Sequence, residues 1–266
     1  MRSGNDKTIL VADFGRSGQG WLSYMLCYIL NAKYIEPYCL LRGIIYSGSD
    51  YVLQLTQGNL RGRDKSPYSM VVKTHEYPDP FFSLTDKVIL LARDPRDAAV
   101  SGYARHRVAQ QTGTDVEKGA QKKTLIKPIH RHRTRLSELL RERLRGVKSI
   151  YFLTSLYRWK HFYEAWEHVD VSMKVTYEEL SVQPKEALHK ILAYLEVDVP
   201  DALIEEATAK LSFRAITGRS QGDEREQDVA FRKGIVGDYK NHFSNFDLKM
   251  ARKICGRIGA NWRYDL

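Results

Sequence analysis

Apolar residues in this chain follow two spacings, and the two take turns along its length. Thr8–Phe14 is a nearly unbroken apolar run with poor alternation, which predicts a strand covered on both faces, as in a parallel sheet. "GQGWLSYMLCYILNA" (18–32) then carries apolar residues at helical spacing. "SMVVKTH" (69–75) reads as a second strand with polar residues at its end. "KVILLARDPRDAAVSGYARHRV" (87–108) reads as a third strand, a turn and a helix, with Asp94 suited to the N-cap and Pro95 to the first helical position. Helices are expected over 155–169, 183–195, 200–211 and 246–259, a fourth strand over 172–177, and a long polar loop over 212–238.

Strands alternating with helices argue for an α/β fold built on a mostly parallel central sheet with flanking helices. No internal repeat and no Pro/Gly/Ser linker divides the chain, so residues 1–266 are expected to form a single domain. In such sheets ligands bind beyond the carboxyl ends of the strands. Three strand ends carry polar residues of functional type: Gly15–Gly20, Lys73–His75 and Arg93–Asp94. The first is a glycine-rich loop between a strand and a helix. Such a loop gathers backbone N–H groups at a helix N-terminus and forms an anion site, to which Arg16 adds a cation and Ser17 a hydroxyl. It is not the G-x-x-x-x-G-K-[ST] loop of nucleoside triphosphatases, because Trp21 follows Gly20. Nor is it a clean G-x-G-x-x-G.

The formal net charge of +10 is local. Residues 118–145 hold ten Lys/Arg against two Glu. This basic run suits a solvated helix face, a nucleic-acid arm or a dock for an anionic partner. Its first part, 118–135, is expected to be a mobile loop. No apolar run approaches the roughly 20 residues of a membrane span. The start "MRSGNDKTIL" reaches a charged strand too soon for a signal peptide, so a cytoplasmic location is expected. Cys27, Cys39 and Cys255 are too few and too scattered for a disulfide framework or a zinc site, and no metal is expected.

At this point the residues carry a resemblance. "GRSGQGWL", "VVKTHEYP", "LARDPRDAAVSGY" and "FRKGIVGDYKNHFS" are similar, in the same order, to four motifs of the cytosolic-type sulfotransferases. The resemblance implies a donor, 3′-phosphoadenosine 5′-phosphosulfate, and sulfuryl transfer to a hydroxyl or amine of a small-molecule acceptor. It places Arg16 beside the oxygen bridging phosphate and sulfate, and the N–H groups of Ser17, Gly18, Gln19 and Gly20 at the 5′-phosphate. Trp21, Tyr177 and Phe213 would contact the adenine. Arg93, Ser101, Arg232, Lys233 and Gly234 would hold the 3′-phosphate. His75 corresponds to the general base, and Lys73 on the same strand face can offer charge to the sulfuryl oxygens. An imidazole changes charge near neutral pH and suits the base role.

Three departures from the family pattern stand out. Arg16 replaces the commoner lysine, and arginine can neutralise a leaving group but not protonate it. Gln19 and Gly20 stand where many members have two threonines. The dimer segment keeps Lys240 but has Ser244, Asn245 and Lys249, which leaves the oligomeric state open. A kinase or nucleotide hydrolase is disfavoured by the missing Gly-Lys-Ser/Thr. A nucleic-acid binder built on 118–145 is disfavoured because that run lacks interleaved aromatics. The acceptor pocket is expected from 36–68 and 104–135, with Tyr34, Tyr38, Tyr46, Tyr51, Tyr68 and Tyr103. The basic run would favour an anionic acceptor or one presented by an acidic carrier domain.

Overall fold

The computed structural model describes residues 7–35, 66–78, 85–112, 148–169, 173–225 and 231–266. The basic run, Cys39, Tyr38, Tyr46 and Tyr51 lie outside the described residues.

Five parallel strands form the sheet: β1 (Lys7–Ala12), β2 (Lys33–Ile35), β3 (Tyr68–Thr74), β4 (Lys87–Ala92) and β5 (Met173–Thr176), in the order β2-β3-β1-β4-β5. The central β1 explains its own apolar run. Ile9 and Val11 enter one core with α1 (Gln19–Leu30), α5 (Pro184–Leu195) and α6 (Asp201–Lys210). Leu10 and Ala12 enter a second core with α2 (Pro95–Thr112), α3 (Lys148–Glu167) and α8 (Asn245–Asn261). Both faces are covered, so alternation disappears. Cys27 and Cys255 are buried free thiols in these two cores, and burial pushes the Cys255 thiol up to about 12.

The sheet is wholly parallel and has five strands rather than the expected four. β2 is only three residues long, too short to show a period. Two short helices also escape the pattern. In α4 (Tyr177–Val182), Thr176 and Glu179 close a capping box where the sequence suggested the end of a strand. In α7 (Phe213–Thr217), Ser212 caps five residues inside the expected loop. The register sets the strand ends level: Ala12 pairs with Thr74 on one side and Leu90 on the other.

Helix α3 lays its aromatics under the sheet. Trp159 is fully buried, and its indole N–H donates to the Arg93 carbonyl at 3.1 Å. Tyr163 is fully buried and donates to the Leu91 carbonyl at 2.7 Å. The second core therefore fixes the backbone on which Arg93 is mounted. Trp159→Phe should cost about 1–3 kcal/mol through the stranded carbonyl, and Trp159→Ala about 3–5 kcal/mol through the cavity. Chemical denaturation followed by circular dichroism would measure both.

Candidate active site

The loop after β1 turns through the left-handed region three times, at Gly15 (φ 104°), Arg16 (φ 66°) and Gly18 (φ 84°). A non-glycine residue there costs of order 1–3 kcal/mol, so Arg16 is held by its surroundings. Gly18 caps α1, and a Cβ on it would lie 2.7 Å from the Tyr177 ring. No side chain fits at that contact. The Ser17 N–H donates to the buried Asp13 carboxylate at 3.2 Å, so the helix start at Gly18–Gly20 is left to supply the N–H groups of an anion site. The Gln19 side chain turns inward, donating to the carbonyls of Val11 and Thr74 and tying the tips of β1 and β3 together.

Arg93, at the end of β4, donates to the Arg16 carbonyl at 3.2 Å and the Ile235 carbonyl at 3.0 Å, and lies 4.2 Å over the Tyr177 ring. Its Nε is buried without a hydrogen-bond partner among the described residues. Ser101, eight residues on in α2, accepts from Arg16 Nε at 3.0 Å. The segment 232–234 reaches the same place from the C-terminal side. Arg232 pairs with Asp238 and, at 3.2 Å, with Glu224; Lys233 pairs with the same two acids. Gly234 (φ 66°) packs against Phe213, whose ring would lie 2.5 Å from a Cβ there. Trp21 packs edge-on to Tyr177 and donates to the Leu211 carbonyl at 2.7 Å. The structure therefore gathers Arg16, Trp21, Arg93, Ser101, Tyr177, Phe213, Arg232, Lys233 and Gly234 at one end of the sheet.

Three residues that shape this end were assigned no role from the sequence, although Asp97 lies within one of its motifs. Asp97 of α2 accepts from the N–H groups of Gly237 at 2.6 Å and Tyr239 at 2.8 Å, clamping the 232–239 segment. Arg219 is buried and donates to the carbonyls of Phe231 (2.6 Å) and Arg232 (3.0 Å). Asp13 is the third. Its side chain is fully buried, and its Oδ1 lies 2.5 Å from His75 Nδ1, while the His75 side chain is 46% exposed. Lys73 lies beside Val11 in the β3–β1 register, on the strand that ends one residue before His75.

Two cavities flank Arg16. One, of about 60 Å³, is lined by Ser101, Arg105, Glu224 and Arg232. The other, of about 170 Å³, is lined by Phe14, Gly15, Arg105, Tyr151, Ser155 and Arg158. Arg16 lines both. Burial and the neighbouring Arg105, Arg93 and Arg232 lower its pKa to about 10, so it stays charged at neutral pH. Of the tyrosines expected near an acceptor, Tyr68 is a core residue bonded to the Leu195 carbonyl, and Tyr34 packs on Tyr24. Tyr103 packs on Tyr151 and Phe152.

A left-handed glycine loop at the central strand, faced by arginines from three other segments, defines an α/β protein whose strand ends suit a ligand with more than one anionic group. The chain matches the sulfotransferase domain family over residues 6–262, and it belongs to that family. It is 26% identical to rat sulfotransferase 1 family member D1 over 257 residues, covering 89% of this chain and 78% of the relative. It is 25% identical to zebrafish sulfotransferase 6B1, covering 100% and 84%. It shares its fold with mouse sulfotransferase SULT7A1 complexed with PAP (TM-score 0.59, 19% identity, 97% and 85% covered). It also shares it with retinol dehydratase in complex with androsterone and PAP (TM-score 0.54, 17% identity, 94% and 80% covered). No described helix is long and apolar enough to cross a membrane.

Two outcomes follow from this geometry. Gly18→Ala should destabilise the protein by about 1–3 kcal/mol from its backbone alone, plus the clash with Tyr177. In a double-mutant cycle, part of that loss should vanish on Tyr177→Ala. Asp238 supplies a pH signature. Burial alone would raise its carboxyl, but Arg232, Asn241 and Lys233 hold it well below the usual carboxylate range. Its folded pKa is depressed, so its stabilisation is present above the unfolded value near ~4 and is withdrawn as pH falls below it. Asp238→Asn should be less stable at neutral pH and lose less stability on acidification, as read from urea midpoints across pH.

Proposed function

We propose that this protein transfers the sulfuryl group of 3′-phosphoadenosine 5′-phosphosulfate to a hydroxyl of a small-molecule acceptor, with His75 as general base. The observation that carries this reading is the position of Arg16 between the two cavities, beside the Asp13–His75 pair at Gly15. The smaller cavity holds Ser101 and Arg232, the residues suited to a 3′-phosphate. The larger opens along Phe14 and Gly15, and a Cβ on Gly15 would lie 3.8 Å from His75 Nδ1. The residues also fit such a donor chemically. Arg93 has a buried, unpartnered Nε, and Gly18 and Gly234 bring backbone against aromatic rings that can flank a base.

The reaction is an in-line displacement at sulfur. The acceptor oxygen forms a bond to sulfur as the bond from sulfur to the bridging phosphate oxygen breaks. The acceptor proton passes to His75 Nε2. The electron pair leaves on the phosphate oxygen, where Arg16 neutralises it without giving up a proton. Asp13 is the positioning residue. Its backbone carbonyl lies 3.2 Å from His75 Nδ1 and can accept from Nδ1–H, which leaves Nε2 unprotonated, while its buried carboxylate places a negative charge against the same nitrogen. Lys73 offers charge to the sulfuryl oxygens. Positioning and charge stabilisation dominate such transfers, so a rigid pair matters more than a strong base.

His75→Ala should lower kcat by about 10²–10⁴ with the affinity for 3′-phosphoadenosine 5′-phosphate nearly intact. Asp13→Asn should lower kcat by a smaller factor and reshape the pH–rate profile, because the backbone carbonyl still faces Nδ1 but the negative charge that stabilises the imidazolium is gone. A His75→Ala variant with near-normal turnover would remove the base assignment. Arg93→Ala should weaken product binding by roughly 1.5–3 kcal/mol or more. Calorimetry on 3′-phosphoadenosine 5′-phosphate would measure it, and unchanged affinity would sink the donor reading.

A further inference from the structure

The larger cavity has a charge that the donor does not explain. It is lined by polar and aromatic residues of α3, Tyr151, Thr154 and Ser155, and by three arginines, Arg16, Arg105 and Arg158. Arg105 of α2 lines it and the smaller cavity alike. Arg158 of α3 lines the larger one and lies 5.8 Å over the Phe14 ring. The other cations of this end have protein partners. Arg232 and Lys233 are answered by Glu224 and Asp238. Arg93 donates to two carbonyls and Arg16 to Ser101. Arg105 and Arg158 have neither an ion pair nor a hydrogen bond among the described residues. Arg105 is also the largest charge effect on Arg16, which it crowds.

Holding like charges around a partly enclosed cavity is unfavourable unless an anion enters it. The donor is met by Arg16, Arg93 and the 232–234 segment on the other side of Arg16. An uncharged acceptor would gain nothing from Arg105 and Arg158, and its binding would leave two guanidinium groups less hydrated. We infer that the cavity between α2 and α3 is a specificity subsite for an acceptor bearing a carboxylate or phosphate group, gripped by Arg158 at the mouth and Arg105 further in. The acceptor's hydroxyl then lies toward Gly15 and His75, and its anionic group lies away from the sulfuryl centre. The size fits a compact aromatic or ring-bearing acid: a cavity of about 150 Å³ accommodates benzene.

This inference rests on the donor reading above, and the experiment separates the two. The full chain is first titrated with 3′-phosphoadenosine 5′-phosphate. With and without that ligand, it is then titrated calorimetrically with 4-hydroxybenzoate, with phenyl phosphate and with the neutral 4-hydroxybenzamide. At least one anion should bind about tenfold or more tighter than the amide, a preference that weakens as salt is added. The two anion arms tell carboxylate from phosphate. Arg158→Ala should abolish the preference while leaving the affinity for 3′-phosphoadenosine 5′-phosphate unchanged, and Arg158→Lys should restore part of it. Equal binding of the anions and the amide by the wild type overturns the inference, and so does a preference that survives in Arg158→Ala. Failure of 3′-phosphoadenosine 5′-phosphate to bind would overturn the donor reading instead, while the anion titrations without it still decide the subsite.

Discussion

The packing of Tyr177 against Gly18 is the contact on which this site turns. It requires a glycine in the left-handed region at the start of α1, which in turn fixes the path of Gly15 and Arg16. The Tyr177 ring also receives the Arg93 guanidinium and meets Trp21 in an edge contact. One buried ring thus sets the spacing between the phosphate loop, the arginine at the end of β4 and the aromatic at the start of α1. A tyrosine at the first position of a capped helix is well suited to this. The capping box of Thr176 and Glu179 leaves its backbone little freedom.

Charge is arranged around that ring with an inner and an outer tier. Arg93 bonds to the backbone carbonyls of Arg16 and Ile235, and Arg16 donates to Ser101. Arg232 and Lys233 are paired with Glu224 and Asp238. The first pair is held by neutral oxygens, and the second is charge-balanced by Glu224 and Asp238. Asp97 links the tiers. It sits three residues inside α2, yet it holds the backbone of Gly237 and Tyr239.

The fold and most of the cradle were legible because they depend on local signals. A two-sided apolar run marks β1, a proline after aspartate opens α2, and glycines flank an arginine between strand and helix. What stayed hidden depends on register or on faces. Asp13 looks like the polar end of a strand, and only the level pairing of β1 with β3 brings it to His75. Arg105 and Arg158 read as the solvated side of amphipathic helices, since periodicity cannot tell a cavity from solvent. Gln19 reads as a loop residue, whereas its side chain ties two strand tips together. β2 and α7 were missed because three and five residues are shorter than one informative period.

The Trp21 indole donates to a carbonyl 190 residues further along the chain, and Asp97 reaches Gly237 across 140. Contacts of such span form late, because a long loop must close before they repay its entropy. During synthesis the phosphate loop, His75 and Arg93 emerge from the ribosome well before their C-terminal cover. The nascent chain therefore holds the glycine loop and Arg93 before the 232–239 segment that packs against them has been made. A product cut short before residue 232 would have the loop without the segment that Asp97 clamps.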